Sequence, residues 1–254
     1  MSARGSGTLA AMEPELIGPL RVHALGGVDH KGGGDGPAIL LCHGFGALGD
    51  DLVPLARVID AGRSVRWFFP EAPIALEHNG FMAGRAWWPL DIERIVELQS
   101  RGQRRSLATE MPSGLLEARA ALEATITALE ASRGVRRSSL LIGGFSQGSM
   151  LTTELALHAD PKAPFAGLAV LSGTLLCEDR WASAARRTAP GLHVFITHGR
   201  ADPLLPFEGA EGLRDLLHKE GANVDWAPHR GGHELPEVAL SGLGAFARAR
   251  LVSG

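Results

Sequence analysis

Two cysteines, Cys42 and Cys177, are all that the 254 residues contain, too few for a disulfide framework or a four-cysteine zinc site. Each reads as a small buried hydrophobe. Long apolar runs are missing too: the stretch Leu140 to Ile142 ends at once in glycine, far short of the roughly 18 residues of a membrane span. No stable membrane insertion is expected. Positive charge is in no surplus, since 25 Lys+Arg against 28 Asp+Glu leave a formal net charge of −3. Without a bulk positive field, nucleic acid is not expected as a partner. Residues Met1 to Glu15 carry Arg4 but lack the apolar stretch of a secretory leader, so the expected location is the cytoplasm, with residues 1–20 a flexible segment. Repeats and low-complexity linkers are also lacking. A prior of about 150 residues per domain allows two domains, yet nothing divides the chain, and residues 21–254 read as one.

With 45% hydrophobic and 21% charged residues, the composition is that of an ordinary globular protein. Short runs rich in Val, Ile and Leu alternate with segments of helical period, the pattern of an α/β protein with a mostly parallel central sheet flanked by helices. Strands are expected at Ala38 to Cys42, Val65 to Phe69, Ser139 to Phe145, Gly167 to Leu171, Leu192 to Thr197 and Asn223 to Ala227. Leu115, Ala118, Leu122, Ile126 and Leu129 recur at spacings of 3, 4, 4 and 3 and predict one buried face of a helix. Further helices are expected after Gln147, Phe207 and Leu235. The stretch Asp91 to Pro112 breaks the alternation and reads as an inserted helix with a mobile segment, a solvated connection or a lid, with Arg101, Arg104 and Arg105 a solvated charge run.

Gly144-Phe145-Ser146-Gln147-Gly148 has the form G-x-S-x-G, which a chain this rich in glycine produces by chance about 0.25 times. Its setting is more telling, because a buried strand enters it and a helix leaves it, as at a nucleophile elbow. A serine hydroxyl is a weak nucleophile at neutral pH, so Ser146 needs a nearby base, and that base needs an acid to fix its tautomer. In such folds the chain order is serine, acid, histidine, each just past a strand. Asp202 follows the strand ending at Thr197, and His233 follows the next strand and the turn Gly231-Gly232. They are the candidate acid and base. His229 competes for the base role; the glycines between it and His233 argue against a helical metal-binding pair, so no metal and no cofactor are expected. His198 reads as support for the acid loop. Negative charge developing on a carbonyl oxygen needs preorganised N–H donors, worth ~2.7–4 kcal/mol each, and the main chains of Gln147 and Phe45 are the candidates. His43 reads as shaping the Phe45 loop.

These motifs resemble those of the carboxylesterase and phospholipase family of α/β-hydrolases, which includes acyl-protein thioesterases and bacterial short-chain esterases. The resemblance runs from about Ala38 to Leu251. It rests on His43-Gly44-Phe45-Gly46, Phe69-Pro70-Glu71-Ala72-Pro73, Ala86-Trp87-Trp88, the elbow, His198-Gly199 with Asp202-Pro203-Leu204-Leu205-Pro206, and Gly232-His233. It implies the α/β-hydrolase fold and carries nucleophile, acid and base onto Ser146, Asp202 and His233. It further implies that Trp87 borders the acyl or alcohol pocket and that Leu204 lines an apolar wall; by composition alone both read as packing. Ser149 departs from the family, which often has a small apolar residue there, and residues 91–112 match it poorly. The implied activity is hydrolysis of small-molecule carboxylic esters of short to medium acyl chain through an acyl-enzyme, with lysophospholipids or acyl-protein thioesters as alternatives. A homodimer is compatible with this reading. The alternative from another class is a catalytically silent binding protein of the same fold.

Overall fold

A computed structural model of the chain describes residues 13–78, 81–91, 101 and 106–251. Its strands are β1 (Glu15–Ile17), β2 (Leu20–Gly27), β3 (Lys31–Gly33), β4 (Ala38–Cys42), β5 (Arg66–Pro70), β6 (Ile74–His78), β7 (Phe81–Ala86), β8 (Leu140–Phe145), β9 (Gly167–Leu171), β10 (His193–Thr197) and β11 (Asn223–Trp226). Its helices are α1 (Leu55–Val58), α2 (Leu115–Arg133), α3 (Gln147–Leu157), α4 (Glu178–Thr188), α5 (Phe207–Lys219) and α6 (Glu237–Leu251). One sheet runs in the order β1-β2-β5-β4-β8-β9-β10-β11, with β3 beside β2, while β6 and β7 form a separate hairpin. From β5 to β11 every neighbouring pair is parallel; β2 is antiparallel to both β1 and β5.

Because side chains alternate along a strand, the parallel strands feed two cores. Leu40, Ile142, Val170 and Ile196 point to one face, where Leu122, Ile126 and Leu129 of α2, Leu151 and Leu155 of α3, Trp181 of α4 and Leu213 of α5 cover them. Ile39, Leu41, Leu141, Leu171 and Phe195 point to the other, under Leu52, Ile59 and the α6 residues Leu243 and Phe246. The five α2 residues expected on one face are all buried, with Thr125 added. Crossover helices on both faces leave the carboxyl ends of the parallel strands at one edge, the place where such sheets build their sites.

The six strands expected from sequence are present with ends shifted by no more than one residue. The flexible segment over residues 1–20 is corrected from Glu15 onward, since β1 pairs with β2. Only Ile17 of β1 is buried, too short a stretch to carry a periodic signal. The hairpin β6–β7 and α4 were not expected either. The helix expected within 91–112 lies outside the described residues, as do Arg104 and Arg105. Among the described residues, no helix is long and apolar enough to cross a membrane.

Candidate active site

β8 delivers its chain directly into Ser146, which sits at φ 53° and ψ −118° before α3 begins. A positive φ is strained for a residue with a Cβ, and the surroundings hold it there. The Ser146 N–H donates to the Leu171 carbonyl at 2.9 Å, and the Ser146 carbonyl accepts from the N–H groups of Ser149 and Met150. The Ser149 hydroxyl donates to the same carbonyl at 2.7 Å, which gives this departure from the family a role in bracing the turn. Gly148 lets α3 approach β4: a Cβ there would lie 2.2 Å from the Cys42 carbonyl oxygen.

Asp202 and His233 come from loops after β10 and β11. His233 Nδ1 lies 2.7 Å from Asp202 Oδ2, and Asp202 Oδ1 accepts the N–H groups of Leu204 at 2.8 Å and Leu205 at 2.9 Å. Burial works against ionisation of Asp202, but hydrogen bonding from His198, His233 and the Leu205 N–H outweighs it and holds the carboxyl well below the usual carboxylate range. The His233 ring also packs on Phe145, with centroids 4.8 Å apart. His229 is not a cavity wall; its main-chain N–H donates to the His198 carbonyl at 3.0 Å and its Nδ1 accepts from the Gly231 N–H at 3.2 Å. It therefore does not share the cavity that His233 lines.

Ser146, Asp202 and His233 line one cavity of about 490 Å³ together with Phe45 and Gln147. Trp88, Leu107, Met111, Met150, Leu176 and Leu204 give it apolar walls, a lining suited to an acyl chain. Trp87 is the exception to the expectation. It is buried and lies outside the lining, with Nε1–H donating to the His43 carbonyl at 2.9 Å; Trp88 takes the wall position. The course of the chain leaving β7 decides which of two adjacent tryptophans faces the cavity, and composition does not reveal it. Leu204 lines the wall as expected and is 51% exposed at the mouth.

The Phe45 loop is braced from three sides. His43 Nδ1–H donates to the Gly44 carbonyl at 2.8 Å and Nε2 accepts the Ala72 N–H at 2.9 Å, which requires the neutral Nδ1–H tautomer; burial likewise lowers its pKa. The Gly46 N–H donates to Arg85 and the Arg85 N–H to Ala47, tying the loop to β7. Gln147 contributes its side chain as well as its main chain: Oε1 accepts the Trp87 N–H and Nε2–H donates to the Trp88 carbonyl, both at 2.9 Å. Sequence reasoning missed this clamp, because it joins segments 60 residues apart and no local pattern announces it. As the first residue of α3, Gln147 has an N–H that the helix leaves without an intrahelical acceptor.

The fold and this serine elbow define an α/β-hydrolase. The sequence profile of the phospholipase/carboxylesterase family matches residues 27–250, and the chain belongs to that family. Among similar proteins are acyl-protein thioesterase 1 of Yarrowia lipolytica, 29% identical over 199 residues that cover 76% of this chain and 82% of the relative, and acyl-protein thioesterase 1 of Schizosaccharomyces pombe, 29% identical over 66% of this chain and 69% of the relative. Of the solved structures, esterase PE8 superposes with a TM-score of 0.73 at 24% identity, covering 93% of this chain and all of the other. The Bacillus cereus carboxylesterase superposes with a TM-score of 0.65 at 18% identity, over 91% of this chain and 94% of the other. At these identities the structures speak for the fold.

Proposed function

We propose that the chain hydrolyses small-molecule carboxylic esters of short to medium acyl length through an acyl-enzyme, with Ser146 as nucleophile, His233 as base and Asp202 as its orienting acid. The observation that carries this is the 2.7 Å contact of His233 with Asp202 at the wall of the apolar cavity that the Ser146 elbow enters. Ser146 Oγ attacks the acyl carbon while its proton passes to His233 Nε2, and the Asp202 carboxylate stabilises the resulting imidazolium. The main-chain N–H groups of Phe45 and Gln147 receive the oxyanion. Collapse breaks the bond to the alcohol, which takes the proton from His233; water, deprotonated by the same imidazole, then releases the acid and restores Ser146. The scheme calls on no cofactor.

A thioester follows the same path with a thiol leaving, and the acyl-protein thioesterase 1 relatives favour that second reading. Comparing p-nitrophenyl esters of increasing chain length with a palmitoyl thioester separates the two. The central test is Ser146→Ala: activity falls by several orders of magnitude with folding intact, and a fluorophosphonate labels only the wild type. Labelling at another residue, or no turnover of p-nitrophenyl acetate by the wild type, rejects the scheme; the latter outcome points to a silent binding protein.

A further inference from the structure

Asp202 Oδ2 faces two imidazoles. His233 Nδ1 stands 2.7 Å away, and on the other side His198 Nε2 stands 3.3 Å from the same oxygen, with its N–H hydrogen-bonded to the Leu205 carbonyl at 3.0 Å. His198 is completely buried. Because Nε2 must donate to the Leu205 carbonyl, Nδ1 of the neutral ring is the lone-pair nitrogen, and it has no hydrogen-bond partner among the described residues. A buried polar atom left unpaired is unfavourable and asks for a reason to be there. Packing alone does not supply one, since an apolar side chain of similar size would fill the space without that penalty. What a histidine adds here is one N–H that donates to the Leu205 carbonyl while its nitrogen stands 3.3 Å from the Asp202 carboxylate.

We propose that His198 is a positioning residue: by sharing Asp202 Oδ2 with His233 and tethering the Leu205 carbonyl, it fixes the carboxylate and limits how strongly that carboxylate supports the His233 imidazolium. This rests on reading Ser146, His233 and Asp202 as the hydrolytic set. His198 Nε2 lies 3.3 Å from Oδ2 while its N–H goes to the Leu205 carbonyl, so the positive end of that N–H dipole sits beside the carboxylate and offsets part of the charge it offers His233; the carboxylate then holds the proton on His233 less tightly, which favours its release to the leaving group. The groups bearing on this pair are His229, whose ring is near enough to sense the charge of Asp202, and Glu234, which acts on His229 in the same sense as Asp202; Phe145 meets the His233 ring with an uncharged face. Arg200 lies over Phe207, whose ring in turn meets that of His198 at 6.0 Å.

The experiment is the pH profile of kcat/KM on p-nitrophenyl butyrate for wild type, His198→Leu and His198→Gln, with Ser146→Ala as control. His198→Leu removes the donor, and the acid limb that reports the free-enzyme base moves up by roughly 0.3–1 pH unit. His198→Gln, whose amide nitrogen replaces Nε2, brings the limb back toward wild type. An unmoved limb in His198→Leu, with Ser146→Ala inactive, overturns the proposal and leaves the hydrolytic set standing. Activity retained by Ser146→Ala overturns that set and the proposal with it. Should His198→Leu fail to fold, 15N-histidine spectra of the wild type decide: the neutral His198 ring protonated on Nε2 supports the role, and one protonated on Nδ1 overturns it.

Discussion

Gly84 of β7 lies against the main chain of Gly46, so closely that a Cβ on Gly84 would fall 2.2 Å from the Gly46 carbonyl oxygen. The hairpin and the Phe45 loop are thereby locked together, with hydrogen bonds between Gly46, Arg85 and Ala47 beside the contact. Gly84→Ala must push the loop away, and its φ of 147° is itself unfavourable for alanine. Displacement by about 1 Å of the Phe45 N–H, the donor proposed for the oxyanion, costs on the order of 100-fold in rate. The expected outcome is a kcat reduced by about that factor with KM changed little. A KM effect alone would mean that the hairpin serves substrate binding instead.

Asp202→Asn keeps an oxygen for the N–H groups of Leu204 and Leu205 but presents an amide to His233, favouring the wrong tautomer. Activity should fall by roughly 10⁴-fold without gross unfolding at neutral pH. Stability gives a separate readout. The folded-state pKa of Asp202 lies below its unfolded value, so its contribution is complete above the unfolded value of about 3.9 and is lost as pH falls from there toward the folded value. The wild type should therefore lose stability more steeply than Asp202→Asn below about pH 4 in thermal melts; parallel acid limbs would contradict the ionisation assigned to this group.

The parallel strands β4, β5 and β8 to β11, the α2 face and the cluster of Ser146, Asp202 and His233 were legible because each rests on a local pattern or on chain order. Ile39 and Leu41 against Leu40 are all apolar, as strands covered on both faces must be, and the glycines around Ser146 mark a close approach that only glycine permits. The features that were not legible depend on partners distant in sequence. β1 buries one residue and exists because β2 is beside it. Trp87 and Trp88 differ in role only through the register of the chain leaving β7, and the Gln147 clamp appears only when that chain is laid across α3.

Leu204 is half exposed at the cavity mouth while its N–H is held by Asp202, so its side chain can be changed without disturbing the acid. Leu204→Asp should reduce kcat/KM for octanoate esters by about 3–30-fold, since contact with one or two methylenes is worth roughly 0.8 kcal/mol each. Acetate esters should be affected far less. Equal losses on both would place Leu204 on the alcohol side of the cavity.

Glu154 is entirely buried in α3, two turns beyond the serine elbow. Its Oε1 lies 2.7 Å from Arg180 Nη2 of α4 and 3.4 Å from Arg119 Nη1 of α2, and Oε2 accepts the Trp181 Nε1–H at 2.7 Å. One carboxylate therefore pins two neighbouring helices to the helix that starts directly after Ser146. Glu154→Ala leaves the buried indole N–H without its acceptor, while the guanidinium groups of Arg119 and Arg180, 30% and 36% exposed, turn to water, so the cost is about 1–3 kcal/mol. For a domain of this size that corresponds to a Tm lower by roughly 2–12 °C. None of these groups borders the cavity around Ser146, so kcat measured well below the lowered Tm should stay within about twofold of wild type. A kcat lost in fully folded protein would show that the carboxylate shapes the elbow; an unchanged Tm would mean that the arginines find other acceptors and that apolar packing alone docks α2 and α4 on α3.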